Sequence, residues 1–151
     1  MEIISHRINS IDQLIKTPSN YGVEIDIRSI GNRLILCHDP YLEGIDFIEW
    51  IKNYKHGTII LNVKEEGLEE SIIDILKKRD IRNFFFLDQS IPFLLKTSMS
   101  GEKRCAVRFS EYETLETVLN FAGYVDWVWV DCFKGFSLDK FTYQKIKNKG
   151  F

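Results

Sequence analysis

The chain has 151 residues, 44% hydrophobic and 28% charged, with a formal net charge of -2. That is the profile of one soluble globular domain with a sizeable core, and its slight acidity excludes a general nucleic-acid binder, which needs excess basic charge. Three cysteines without C-x-x-C spacing (Cys37, Cys105, Cys132) exclude a disulfide framework and a zinc site, and no apolar run reaches the roughly 20 residues of a membrane span.

In chain order, Glu2 to His6 reads as a short strand ending on a polar residue. Ser10 and Gln13 form a capping box for a helix carrying Ile11, Leu14 and Ile15, which Pro18 to Gly22 ends. Gly22 to Pro40, GVEIDIRSIGNRLILCHDP, organises the rest. Val23, Ile25 and Ile27 alternate with Glu24, Asp26 and Arg28, Ile30-Gly31-Asn32 makes a turn, and Arg33 to Cys37 forms a second strand that delivers His38-Asp39 before Pro40. Two carboxylates on one strand face repel each other, and a hard divalent cation, Mg²⁺ or Ca²⁺, is the usual relief, although Glu-x-Asp is also ordinary on a solvated face.

Asp46 and Glu49 open a helix to about Tyr54, Thr58 to Lys64 is a strand, and Gly67 to Arg79 is a helix with Leu68, Ile72, Ile75 and Leu76 on one side. A strand at Asn83 to Asp88, a helix from Ser90 to Ser98 and a strand at Cys105 to Ser110 follow. Ser110 and Glu113 read as the cap of a further helix, which Gly123 ends. The chain closes with a strand from Asp126 to Phe133 and a basic helix from Asp139 to Lys149. All three cysteines lie in or beside apolar strands, where they read as small buried hydrophobes, and a reducing, cytoplasmic home follows, with no signal peptide at the N-terminus.

Strand then helix, about six times over, with short connections, predicts an α/β fold with a parallel sheet. An open doubly wound sheet and a (β/α) barrel both fit. Polar residues gather at several strand ends: His6, Glu24 with Asp26, His38, Asn62 with Lys64, Asp88, Arg108 and Asp131. Convergence on one mouth favours the TIM-barrel type, and no G-x-G-x-x-G follows the first strand.

His6-Arg7, Glu24-x-Asp26, His38-Asp39 and Lys64, in this order, resemble the glycerophosphodiester phosphodiesterase family of phospholipase-C-like barrels, and FFLDQSIP and VRFSEYE are phrases of its short bacterial members. The resemblance spans the whole chain. It implies a metal-dependent phosphodiesterase acting on a small glycerophosphodiester. On that reading Glu24, Asp26 and the residue at position 62 hold Mg²⁺ or Ca²⁺, His6 and His38 are acid and base, and Arg7 and Lys64 hold the phosphate; Arg108, at a later strand end, joins them as a substrate contact.

Several positions depart from the family pattern. Ile8 replaces the usual Gly after His-Arg, and no Glu-Asn-Thr-like element lies between Asn9 and Gly22. Asn62 stands where a third metal carboxylate is expected; its carbonyl ligates Mg²⁺ or Ca²⁺ with one charge fewer. A complete barrel has eight strands in roughly 250 residues. This chain supplies about six, so the expectation is a single barrel domain over residues 1–151 lacking its last two strands, a fragment or one closed by a homo-oligomer. The alternative function is a degenerate, non-catalytic barrel fragment that binds a phosphorylated ligand or a partner subunit. His56 reads as a surface residue, Arg108, Asp88 and Asp131 as a mouth network, Trp127 and Trp129 as core, and Tyr41 and Leu42 as packed loop residues.

Overall fold

The computed structural model describes residues 1–135 and 138–151, and these fall into two compact units, Met1–Gln89 and Ser90–Phe151. In the first unit, β1 (Ile4–Ser5) leads into α1 (Ile11–Lys16), whose Ser10 hydroxyl accepts from the Gln13 amide while the Gln13 side chain reaches back to the Ser10 backbone. The capping box is therefore formed, and Leu14 is the helix's buried residue. β2 (Gly22–Ile30) and β3 (Arg33–Leu36) pair as an antiparallel hairpin in which Ile30 faces Arg33 and Ile27 faces Leu36. Gly31 turns the corner at φ +57°, a conformation that glycine adopts without a Cβ clash. A two-residue strand that the periodicity does not reveal, β4 (Ile45–Asp46), adds to β3 in antiparallel sense and runs straight into α2 (Phe47–Ile51). Asp46 caps that helix by accepting from the Ile48 amide.

β5 (Ile59–Val63), α3 (Glu69–Lys78) and β6 (Phe84–Leu87) complete the unit. The sheet order is β4-β3-β2-β5-β6, with β1 also pairing β2. β1, β5 and β6 run parallel to their neighbours while β3 and β4 run antiparallel, so the sheet is mixed rather than all parallel. The reason is the tight turn at Gly31: a two-residue connection reverses the chain, whereas a parallel return needs a long crossover. Gly22 lies where three segments meet; a Cβ there would sit 2.3 Å from Ile4 Cδ1 and 2.8 Å from the Thr58 carbonyl oxygen. Ile25, Ile27, Ile59, Leu61 and Phe86, with Leu14, Phe47 and Trp50 from the helices, are sealed from solvent. Each such side chain contributes about 1.5–3 kcal/mol of burial free energy.

The second unit contains α4 (Ile91–Met99), β7 (Ala106–Phe109), α5 (Leu115–Asn120), β8 (Trp127–Val130) and α6 (Lys140–Asn148). β7 and β8 pair in parallel, with α5 as the crossover between them. Ser110 does not cap α5. Its hydroxyl bonds the Glu113 carboxylate instead of a helix amide, and the helix begins at Leu115 with Thr114 as its cap, accepting from Thr117. β8 is shorter than its apolar run, and Trp127 is 43% exposed rather than core. It lines a cavity of about 570 Å³ together with Val130, Tyr143, Ile146 and Phe151.

Of the cysteines, Cys105 alone is buried; Cys37 follows the end of β3 and is half-buried, and Cys132 lies beyond β8 and is exposed. Tyr41 and Leu42 do not pack but face solvent. Among the described residues no helix is long and apolar enough to cross a membrane. The architecture is thus α/β, with a mixed sheet and alternating strands and helices.

Candidate functional site

β2 brings the two carboxylates into the interior of the first unit. Glu24 is 1% exposed and Asp26 is 0% exposed, so both are desolvated and need partners. The partners come from both edges of β2. On one edge β1 pairs Ile4 with Gly22 and Ser5 with Val23, which carries the following residues alongside Glu24. Arg7 N donates to Glu24 Oε2 at 2.8 Å, and His6 Nε2 lies 3.5 Å from the same oxygen. On the other edge β5 places Asn62 opposite Asp26, and Asn62 Nδ2 donates to Glu24 Oε1 at 2.9 Å. Both oxygens of Glu24 are therefore engaged by neutral donors.

Asp26 is held differently. Asn9 closes a reciprocal pair with it: Asn9 Nδ2 donates to Asp26 Oδ2 at 2.8 Å, and the Asp26 amide donates to Asn9 Oδ1 at 2.9 Å. Asp26 Oδ1 accepts no hydrogen bond, although Lys64 Nζ stands 3.3 Å away as its ionic partner. The ammonium is near this oxygen but not aimed for a hydrogen bond to it. Lys64 also approaches Asp88 Oδ2 at 3.5 Å, so it joins the middle of β2 to the residue that follows β6. Asn62 Oδ1 is a second buried oxygen with no hydrogen-bond donor.

The antiparallel hairpin explains why His38 belongs to the same network. β3 runs back along β2, the Cys37 amide bonds the Asp26 carbonyl at 3.0 Å, and the next residue is therefore returned to the carboxylates. Arg28 fastens it from below, donating to the His38 carbonyl from Nε at 3.2 Å and Nη2 at 3.0 Å. Arg28 in turn meets Glu65 at 3.6 Å, and Glu65 accepts from the Ser29 amide and hydroxyl at 3.0 and 2.6 Å. The His38 ring is bonded on both nitrogens, Nδ1 to Asp39 Oδ1 and Nε2 to Arg7 Nη2, each at 2.7 Å. The hydrogen bond with His38 holds the Asp39 carboxyl below its usual range.

Seven of the residues singled out from sequence, His6, Arg7, Glu24, Asp26, His38, Asn62 and Lys64, thus occupy one region of the first unit, where five of them (His6, Arg7, Glu24, His38, Asn62) are directly linked and Asp26, opposite Asn62 on β2, pairs with Lys64 just past the end of β5. Arg108 is a residue of the second unit, where it pairs with Asp131 at 3.3 Å, while Asp88 pairs with Lys64. His56, on the far side of β5, is half-buried and bonds the Thr17 carbonyl oxygen at 3.0 Å. Asn9 and Arg28 take positioning roles that the motif reading did not assign.

The oxygen set Glu24, Asp26 and Asn62 is of the type that suits a hard divalent cation, and Asp26 Oδ1 and Asn62 Oδ1, buried and without a hydrogen bond, are the oxygens such an ion would contact. Among the described residues no group of three or more His, Cys, Asp or Glu side chains is arranged to hold a metal; Asn62, at the third position of this set, is an amide. Comparison with protein-family models, with curated proteins and with solved structures gave no match.

Proposed function

We propose that the chain is a metal-assisted phosphodiesterase of the glycerophosphodiester type, built on an arc of a (β/α) barrel. The observation that carries this reading is the pair of buried oxygens that accept no hydrogen bond, Asp26 Oδ1 beside Lys64 and Asn62 Oδ1, in the unit where Glu24 meets His6 and the Arg7 amide and the Arg7 side chain meets His38. The parallel run β2-β5-β6 in the first unit supports the barrel arc. Glu24, Asp26 and Asn62 would hold Mg²⁺ or Ca²⁺, which when bound neutralises charge on the phosphodiester.

The chain's own groups divide the remaining work. Arg7 and Lys64 hold the anionic phosphate oxygens. His38 Nε2 takes the proton of the attacking hydroxyl, from water or from the substrate itself, as the new P–O bond forms. Asp39, on Nδ1, fixes the tautomer that leaves Nε2 as the acceptor. His6, exposed beside Glu24, gives a proton to the leaving alkoxide as the old P–O bond breaks.

The test is hydrolysis of bis(p-nitrophenyl) phosphate and glycerophosphocholine by the purified chain with Mg²⁺, Ca²⁺ or EDTA. Turnover is expected with metal, absent in EDTA, and reduced by about 10²–10⁴-fold in His38→Ala. Turnover that survives both changes would sink the proposal. A second reading is favoured by Asn62, whose amide occupies Glu24 and carries no charge: a non-catalytic barrel fragment that binds a phosphorylated ligand or a partner subunit. A folded protein that binds phosphate but turns over neither diester would select it.

A further inference from the structure

Arg7 has a backbone conformation that its residue type rarely adopts. Its φ is +57°, in the left-handed region, where a non-glycine residue costs about 1–3 kcal/mol and persists only if its surroundings impose it. The imposing contacts are the Arg7 amide on Glu24 Oε2 at 2.8 Å and the Ile8 amide on the Glu24 carbonyl at 2.9 Å. They turn an exposed side chain across to the hairpin, where Nη2 meets His38 Nε2 at 2.7 Å.

A guanidinium has five donors and no acceptor, so in this contact Nε2 must accept. The ring proton is then on Nδ1, facing Asp39 Oδ1 at 2.7 Å. The lone pair that a general base would use is covered by a cation from the same molecule.

We infer that Arg7 is a latch on His38 that an arriving phosphate releases. This rests on the phosphodiesterase reading for its purpose, though not for its test. A phosphate offers the guanidinium two charged acceptors in a geometry that its fork matches, and such bidentate, charge-assisted bonds exceed a single bond to a neutral imidazole nitrogen. The side chain leaves Nε2 for the phosphate while the Glu24-bound backbone stays in place. His38 gains a free lone pair only when an anion is seated, so base and substrate arrive together. Arg7 is a positioning residue for His38 as well as a phosphate contact.

The experiment follows the His38 ring nitrogens by long-range ¹H–¹⁵N correlation in the full-length labelled chain, with assignment from His38→Ala, during titration with inorganic phosphate. In the wild type, Nδ1 is expected to be protonated and Nε2 displaced by its hydrogen bond, and phosphate should shift Nε2 saturably toward the position of an unbonded nitrogen. In Arg7→Ala, Nε2 should sit at that free position from the outset and not respond. Arg7→Gly, which suits the positive φ, serves as the second variant should alanine misfold there. A wild-type-like Nε2 resonance in either folded variant overturns the latch, as does saturable phosphate binding that leaves Nε2 unmoved, or no response to phosphate at all. Neither metal nor turnover enters this readout. A ring response without hydrolysis leaves the latch standing and defeats the phosphodiesterase reading; hydrolysis without a ring response does the reverse.

Discussion

Two ion pairs, Lys64–Asp26 in the first unit and Arg108–Asp131 in the second, sit in different surroundings. In the first, β2 is paired on both edges, and Glu24 and Asp26 are shut away from water with Lys64 as a largely buried counter-ion. In the second, a two-stranded sheet leaves Trp127 43% exposed, and the pair Arg108–Asp131 is about one-third exposed on each side. The same kind of contact, a cation a little over 3 Å from a carboxylate, therefore sits in two dielectric settings. Screening by water makes exposed pairs worth little, whereas breaking a buried pair strands an uncompensated charge. The Lys64–Asp26 pair is tied to the site's geometry, whereas the Arg108–Asp131 pair is closer to surface chemistry.

Four measurements sharpen or break this contrast, from the largest effect down. Phe86→Ala, in the sealed interior of β6, should lower unfolding free energy by about 3–5 kcal/mol in urea denaturation; a loss below about 1 kcal/mol would mean that the first unit is loosely packed. Lys64→Met should cost about 3 kcal/mol, because Asp26 then keeps a buried charge without its ionic partner. The parallel change Arg108→Met should cost no more than about 1 kcal/mol. Equal losses for the two would erase the distinction between the units.

The smallest effect concerns Glu111, whose exposed carboxylate accepts backbone amides of Phe133, Lys134 and Gly135 at 3.0, 2.9 and 3.0 Å. Those bonds, led by the Phe133 and Lys134 amides, pull its pKa down to about 2. A depressed carboxylate contributes above its unfolded pKa and loses that contribution as pH falls through the folded value. The three amide resonances should therefore hold steady down to pH 4 and move with a midpoint near 2, provided the fold survives the acid. A midpoint near the ordinary glutamate value would show that the contacts do not persist in solution.

Much of the fold was legible because its cues are local. Strict alternation marks β2, Ser10 with Gln13 and Asp46 mark helix starts, and glycine at a turn marks the hairpin. Ser110 with Glu113 has the same spelling as a cap, yet the two side chains bond each other, and nothing in four letters distinguishes that outcome. The strand direction of β3 escaped the βα pattern because a turn of two residues overrides it. Of the site, the ordered His-Arg, Glu-x-Asp, His-Asp and Lys elements were visible as spacing. Asn9 and Arg28 were not, since each acts through a partner far along the chain: Asn9 reaches Asp26 only because β1 docks on β2, and Arg28 reaches the His38 carbonyl only across the hairpin. Whether the Trp127 side chain is core or surface depends on which neighbours cover β8, and that is not written in its own segment.

The placement of β2 also sets an order of events. The β2–β3 hairpin closes over two residues and can form early, but Asn62 lies 38 positions beyond Glu24. Contacts over such separations form slowly, because loop closure must precede any gain from them. While the chain is being synthesised, Glu24 and Asp26 remain hydrated until Asn62 and Lys64 exist and β5 docks. The carboxylates thus become a buried site at a late step, when the first unit closes around them. Amides of β2 that face β5 should accordingly gain protection together with those of β5, after the amides of the hairpin.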